Sequence, residues 1–389
     1  MDIKRNSIRK IITFLIFVTV SAAIGYFIGR YGGHLIADVP KGVKLWLAIL
    51  FIPSFFIVIG IHEAGHALAG VLLNFNFKMY VVGPFMWNKE LKRWKFKWNK
   101  NVNTAGGMVI CLPTGTENLA KRFSIYALGG PLASLVLVGV AFLLYKGVEF
   151  QPTDSGIIHG VAKYFFLLLF FFSFLIFIVT IIPFHMGGFS SDGARALRLL
   201  SGGEKSRFEV LLLKIIGSST AGLRPGLLNK EELEEAELLG EKTSSPMALY
   251  IAGIQHQVEF DGGSMEKAEY YLIKYADNAD KIPDGIRNSV WIDAAFFYAF
   301  GRKDLEKAMF FWSKFRPNAM LARAQILAVE AAINVLKGDK ALALEHIKAS
   351  RAELPNMLDQ GVALVLGDKL TELENRIAMI DPQISPLIP

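Results

Sequence analysis

One short run in this 389-residue chain can do chemistry without help from any distant segment: Gly60-Ile61-His62-Glu63-Ala64-Gly65-His66. Four residues make about one helical turn, so on a helix His62 and His66 stack on one face and both imidazoles can reach a single metal ion. Neutral imidazole suits Zn²⁺. Glu63 follows His62 by about 100° around the helix, beside such a metal, where a carboxylate can take a proton from water and return it to a leaving amine. The run continues an apolar stretch without a break. Ionisable side chains at membrane depth cost roughly 2.5–3.5 kcal/mol each, so they mark a site or pathway unless they form a buried polar cluster between helices. Gly65 and Gly70 fit either reading, because small residues let helices approach closely.

The elements that must position these groups are membrane elements. Hydrophobic residues make up 52% of the chain and charged residues only 20%, with a mean hydropathy of +0.37. That is too apolar for an ordinary soluble protein. The single cysteine, Cys111, excludes a disulfide scaffold, and 30 Phe exclude disorder over most of the length. Four segments are long enough to cross ~30 Å of hydrocarbon, at about 11–29, 45–73, 123–145 and 161–183. The first follows Lys4, Arg5, Arg9 and Lys10. Its length favours an uncleaved anchor over a signal peptide, although Ser21, Ala22 and Ala23 would suit cleavage.

Charge gives the orientation. Residues 75–100 hold seven cations (Lys78, Lys89, Lys92, Arg93, Lys95, Lys97 and Lys100) against Glu90 alone, and the first ten residues add a net +3. These two stretches exceed the whole-chain surplus of +7, so a nucleic-acid surface spread over a folded domain is excluded. Positive charge stays inside, which predicts cytoplasmic termini and a cytoplasmic loop between the second and third spans. Within that loop Arg93 to Trp98 alternates cations with Trp94, Phe96 and Trp98 at the period of a strand. Such a strand can pair with an extended substrate segment, or grip anionic headgroups of the lipid bilayer.

The remainder changes character and becomes charged and amphipathic. Met265-Glu-Lys-Ala268, Leu305-Glu-Lys-Ala308 and Lys340-Ala-Leu-Ala343 each open the second helix of a hairpin, with alanines 40 and 35 residues apart. That grammar predicts a soluble helical domain over 201–389, either tetratricopeptide-like repeats or a plain bundle. The expected fold is therefore an all-α polytopic membrane protein. It has about four transmembrane helices and a small β-hairpin insertion over 1–200, followed by a cytoplasmic helical repeat-like domain that can dock a protein regulator.

The His-Glu-x-x-His helix, with Gly130-Pro131-Leu132-Ala133-Ser134 heading the third span, resembles the site-2 protease family of intramembrane zinc metalloproteases over about residues 45–200. Ser134 stands where that family has Asn. The family's third motif, Asn-x-x-Pro followed by Asp-Gly, is matched by Thr180-Ile-Ile-Pro183 and Asp192-Gly193, with Thr for Asn and a turn four residues longer. The resemblance implies one Zn²⁺ held by His62, His66 and Asp192, and Glu63 as the catalytic base. His185 competes with Asp192 for the third ligand position, and Asp192 is otherwise a helix N-cap. Three protein ligands leave a position for water, as in catalytic zinc sites. Thr180 or Ser134 would contact the oxyanion or substrate, unless each hydroxyl bonds its own helix backbone. The implied partner is a transmembrane protein or peptide substrate, unwound and paired along Trp94, Phe96 and Trp98. A non-proteolytic membrane scaffold, binding partners through its helical domain, is the other reading. Glu63 argues against it, because a scaffold needs no buried carboxylate beside two histidines.

Overall fold

The computed structural model describes residues 26, 30, 39–90, 93–99, 106–150, 156–186, 189–245, 247–282, 284–316 and 321–380. The expected first span lies outside them except at Tyr26. Three helices among the described residues are long and apolar enough to cross a membrane: α1 (Lys41–Leu72), α2 (Leu119–Glu149) and α3 (Gly156–Ile181). Each exceeds the hydrocarbon thickness, α3 least, at roughly 39 Å for 1.5 Å per residue. Large apolar side chains such as Phe51, Leu132, Val136 and Phe174 point outward, as expected where the surrounding solvent is lipid.

The chain divides into two compact units, with boundaries inside α1 and α2. The first holds α1 up to Gly65, α2 from Gly130, α3 and the segment Ser190–Ala194. Its core is a cluster of Val58, Leu137, Ala141 and Leu169. Close packing here depends on small residues. A Cβ on Gly160 would stand 2.9 Å from a Val43 methyl, and Ser54, Ser134 and Ser173 are fully buried. Buried hydroxyls need partners: Ser54 donates to Leu50 O at 2.7 Å and Ser173 to Ser134 O at 2.7 Å.

In the second unit, the insertion is larger than the expected hairpin. It is a four-stranded antiparallel sheet of β1 (Asn76–Val82), β2 (Phe85–Glu90), β3 (Arg93–Trp98) and β4 (Met108–Leu112), in the order β3-β2-β1-β4. The alternation in 93–98 marks β3. β1 and β4 lack so clean a pattern and are joined by pairing across about thirty residues, which period alone does not reveal. Gly83, at φ 55°, and Pro84 make the two-residue turn from β1 to β2, with the sign pattern of a type II′ hairpin. Arg122 ties the sheet to the start of α2, donating to Leu73 O and Thr114 O at 2.8 Å and lying 4.9 Å from the Phe75 ring. Gly70 admits β4, since a Cβ there would be 2.7 Å from Cys111 Sγ.

The same unit contains the C-terminal helices: α4 (Asp192–Ser201) from Arg195 onward, α5 (Gly203–Thr220), α6 (Lys230–Lys242), α7 (Ala248–Asp261), α8 (Met265–Ala276), α9 (Asp284–Phe296), α10 (Leu305–Lys314), α11 (Arg323–Lys337), α12 (Lys340–Glu353) and α13 (Gln360–Ile380). Pairs α7/α8, α9/α10 and α11/α12 form three consecutive hairpins. Their second helices begin at Met265, Leu305 and Lys340, and the aligned Ala268, Ala308 and Ala343 are fully buried. Alanine permits the close approach of paired helices. Asp304 and Asp339 cap the second and third of these helices by accepting from Lys307 N and Leu342 N.

Buried His256 and half-buried Asp293 make this domain pH-responsive in opposite senses. Burial depresses His256 to about 4, against the bond from its Nδ1 to Ala268 O. Burial raises Asp293 to about 7, against a hydrogen bond from Gln257. A depressed histidine costs stability as pH falls from about 6.5 toward 4, and a raised carboxyl costs stability as pH rises from about 4 toward 7. The two slopes oppose each other in the wild type. Asp293→Asn should therefore stabilise α7 and α9 above pH 7 and leave a steeper loss of protection between pH 6.5 and 4, measured by amide hydrogen exchange on the full chain.

Candidate metal centre

α1 carries both histidines. His62, Glu63 and His66 are 6%, 8% and 8% exposed, and the helix runs without interruption through all three. Each imidazole is held by its Nδ1. His66 Nδ1 lies 2.9 Å from the Tyr126 carbonyl. A carbonyl only accepts, so this nitrogen carries the proton and Nε2 keeps its lone pair. His62 Nδ1 lies 2.9 Å from the Ser134 hydroxyl, and the same tautomer there also leaves Nε2 as the ligand atom. Such outer hydrogen bonds orient metal-binding histidines and raise their basicity.

The helix opposite explains why these partners are at hand. Pro131 sits inside α2 and has no N–H for Ala127 O, so the turn beside Tyr126 is weakened. Ser134 follows three residues later, fully buried, with its carbonyl accepting from Ser173 of α3. The Gly-Pro-x-x-Ser sequence therefore supplies a hydroxyl for a histidine. That hydroxyl accepts from His62 Nδ1 and serves as its positioning group.

The third group arrives from the turn after α3. His62 Nε2 and Asp192 Oδ2 are 3.3 Å apart, and one ligand atom from each of His62, His66 and Asp192 lies within 4.8 Å of the others. Two ligands about 2.1 Å from a tetrahedral zinc stand ~3.4 Å apart; the His62–Asp192 pair is at that spacing, and two imidazoles with a carboxylate are a donor set that could hold a divalent cation. No family model, curated protein or solved structure matches this chain.

Ser191 holds Asp192 in place. Its hydroxyl donates to Ile182 O at 2.8 Å and accepts from Phe184 N and Ala194 N at 3.1 and 3.2 Å. That uses the full capacity of one hydroxyl and makes Ser191 the cap of α4. Asp192, in the first turn, is left to face the histidine. The lengthened turn is folded into the short strands β5 (His185–Met186) and β6 (Phe189–Ser190). His185 opens β5, and its side chain lies outside the described residues. Gly193 lets the turn close, because a Cβ there would stand 1.8 Å from Ile181 O.

Thr180 donates to Ile176 O at 2.8 Å, so its one proton is spent on its own helix. Trp94, Phe96 and Trp98 stand on β3, with ring contacts to Phe77, Phe85 and Trp87. Sequence reasoning missed the Tyr126 carbonyl and the roles of Ser191 and Gly193. A Ser-Asp-Gly run just past a membrane helix was the available signal for the last two.

Two substitutions test this construction. Ser134→Ala should weaken zinc affinity by roughly 10- to 100-fold in a competition titration with a chromophoric chelator, and unchanged affinity would mean that the Ser134 bond does not orient His62. Gly193→Ala should displace Asp192 and lower the metal bound per chain, with α-helix content by circular dichroism unchanged.

Proposed function

We propose that this chain is an intramembrane zinc metalloprotease of the site-2 protease type, hydrolysing peptide bonds in or near transmembrane segments of membrane-bound substrates. The observation that carries this reading is the convergence of His62, His66 and Asp192 within 4.8 Å, next to the buried carboxylate of Glu63. Bound zinc would supply Lewis acidity, polarising the scissile carbonyl and lowering the pKa of the attacking water to about 7. Glu63 then takes the water's proton as the oxygen attacks and returns it to the departing amine. The Nδ1 bonds to Ser134 and Tyr126 keep the two imidazoles from turning during the reaction, and the apolar flanks of α1 keep bulk water away from Glu63.

A substrate suited to this location is itself membrane-spanning and must unwind before its carbonyl is exposed. The outer edge of β3, the end strand of the sheet, is where an extended segment would add. The reading further comprises four spans, an inner-membrane location, both termini in the cytoplasm, and a C-terminal helical domain that receives a protein regulator.

The deciding measurement is zinc per chain in detergent-purified protein, taken beside cleavage of a transmembrane reporter. The wild type should bind about one zinc, and His62→Ala and Asp192→Ala should lose it. Glu63→Gln should keep the zinc and lose cleavage by about 10²–10⁴-fold. A wild type that binds no zinc under chelator-free purification would overturn the reading.

A further inference from the structure

The helical domain holds a cavity that the metal centre does not use. The first helices of its three hairpins, α7, α9 and α11, together with the last helix, α13, border about 520 Å³ of space, partly open to solvent. That falls within the ~300–1,000 Å³ of ligand sites, which set a few polar groups into apolar walls. Here Phe260, Phe296 and Leu366 supply apolar wall, and Asp293, Gln325 and Lys369 supply polar groups. Past Phe296, α9 runs on as a π-helical turn, Phe297–Arg302. Such turns are rare overall and concentrated at functional sites, and this one sets the buried Phe300 ring 5.1 Å from Lys369 Nζ.

The two charges of this cavity do not neutralise each other. Burial holds Asp293 up at about 7, and what opposes it is the amide of Gln257 rather than a cation. Burial holds Lys369 down at about 8, against the pull of Asp261 and Glu372. The Lys369 ammonium rests 3.5 Å from the centre of the Phe260 ring and donates to Phe260 O at 3.3 Å. Each charge thus bears the cost of leaving water without an opposite charge bonded to it. A ligand with a cation at one end, an anion at the other and apolar groups between them complements the whole lining.

We propose that this cavity binds a small apolar zwitterion, a free α-amino acid or a short peptide with unblocked ends, its ammonium on Asp293 and its carboxylate on Lys369. A carboxylic acid without an amine would leave Asp293 unpaired, and an amine without a carboxylate would leave Lys369 so. The site belongs to the helical domain and stands whether or not the metal centre hydrolyses peptides.

Isothermal titration calorimetry on the full chain in detergent, with leucine and leucyl-leucine as probes, tests this. The wild type should bind at least one of them, and the tighter probe tells an amino-acid site from a peptide site. N-acetylation of that probe removes its cation and amidation removes its anion, and each should weaken binding about 10- to 100-fold. Asp293→Asn should weaken the unmodified probe by a similar factor, as should Lys369→Met, which keeps an apolar chain on the Phe260 ring. In Asp293→Asn, N-acetylation should then cost little more, and in Lys369→Met amidation should cost little more, a pairing that a merely misfolded variant would not show. Binding of neither probe by a wild type whose fold circular dichroism confirms would overturn the proposal. So would an affinity that either variant leaves unchanged, which is also how capture of the probe by zinc at the metal centre would read.

Discussion

Every polar atom placed among apolar helices must find a partner, and the design of this molecule around α1 follows from that constraint. Two imidazoles and a carboxylate occupy one turn of a helix whose flanks are Phe, Ile, Leu and Val. In a low dielectric an unpaired ionisable group is costly, and a misoriented one is useless as a ligand. The Tyr126 carbonyl and the Ser134 hydroxyl answer both problems at once. They satisfy the Nδ1 atoms and leave each Nε2 with its lone pair. Pro131, which would be a defect in an isolated helix, lies in the same stretch of α2 that supplies both partners.

The carboxylate comes from a less regular part of the chain and is held differently. A loop leaving a membrane helix has unpaired backbone groups, and Ser191 closes it with three hydrogen bonds from one hydroxyl. Gly193 adds a contact with the end of α3 that no side chain could tolerate. Asp192 is thereby fixed by its neighbours, with one carboxylate oxygen 3.3 Å from His62 Nε2. The restraint falls on Ser191 and Gly193 rather than on the carboxylate itself.

The sheet and the C-terminal helices obey softer rules. The sheet buries Val81 and Met86 on one face, while the other packs Phe77, Val109 and Cys111 beside β1 and β4 and exposes its aromatic side chains towards β3. The helical hairpins are joined by buried alanines at corresponding positions and by aspartate caps at their turns. His256, buried, and Asp293, half-buried, sit within these hairpins with opposite pH responses.

Local periodicity made much of this legible from sequence. An unbroken apolar run marks a spanning helix, a four-residue interval puts two histidines on one face, alternation marks β3, and an aspartate or glycine before a Lys/Leu/Ala run marks a hairpin's second helix. Each is a relation among neighbours, so the order of residues suffices. Asp192 was suggested only by resemblance, and the Nδ1 partners, the β1/β4 pairing and the closure of the turn at Gly193 were not legible. These contacts join residues 126 positions apart for Asp192 and His66 and 72 for Ser134 and His62. No period connects such residues. Only the packing of helices, decided by where small side chains permit close approach and where buried polar atoms must meet, brings them together.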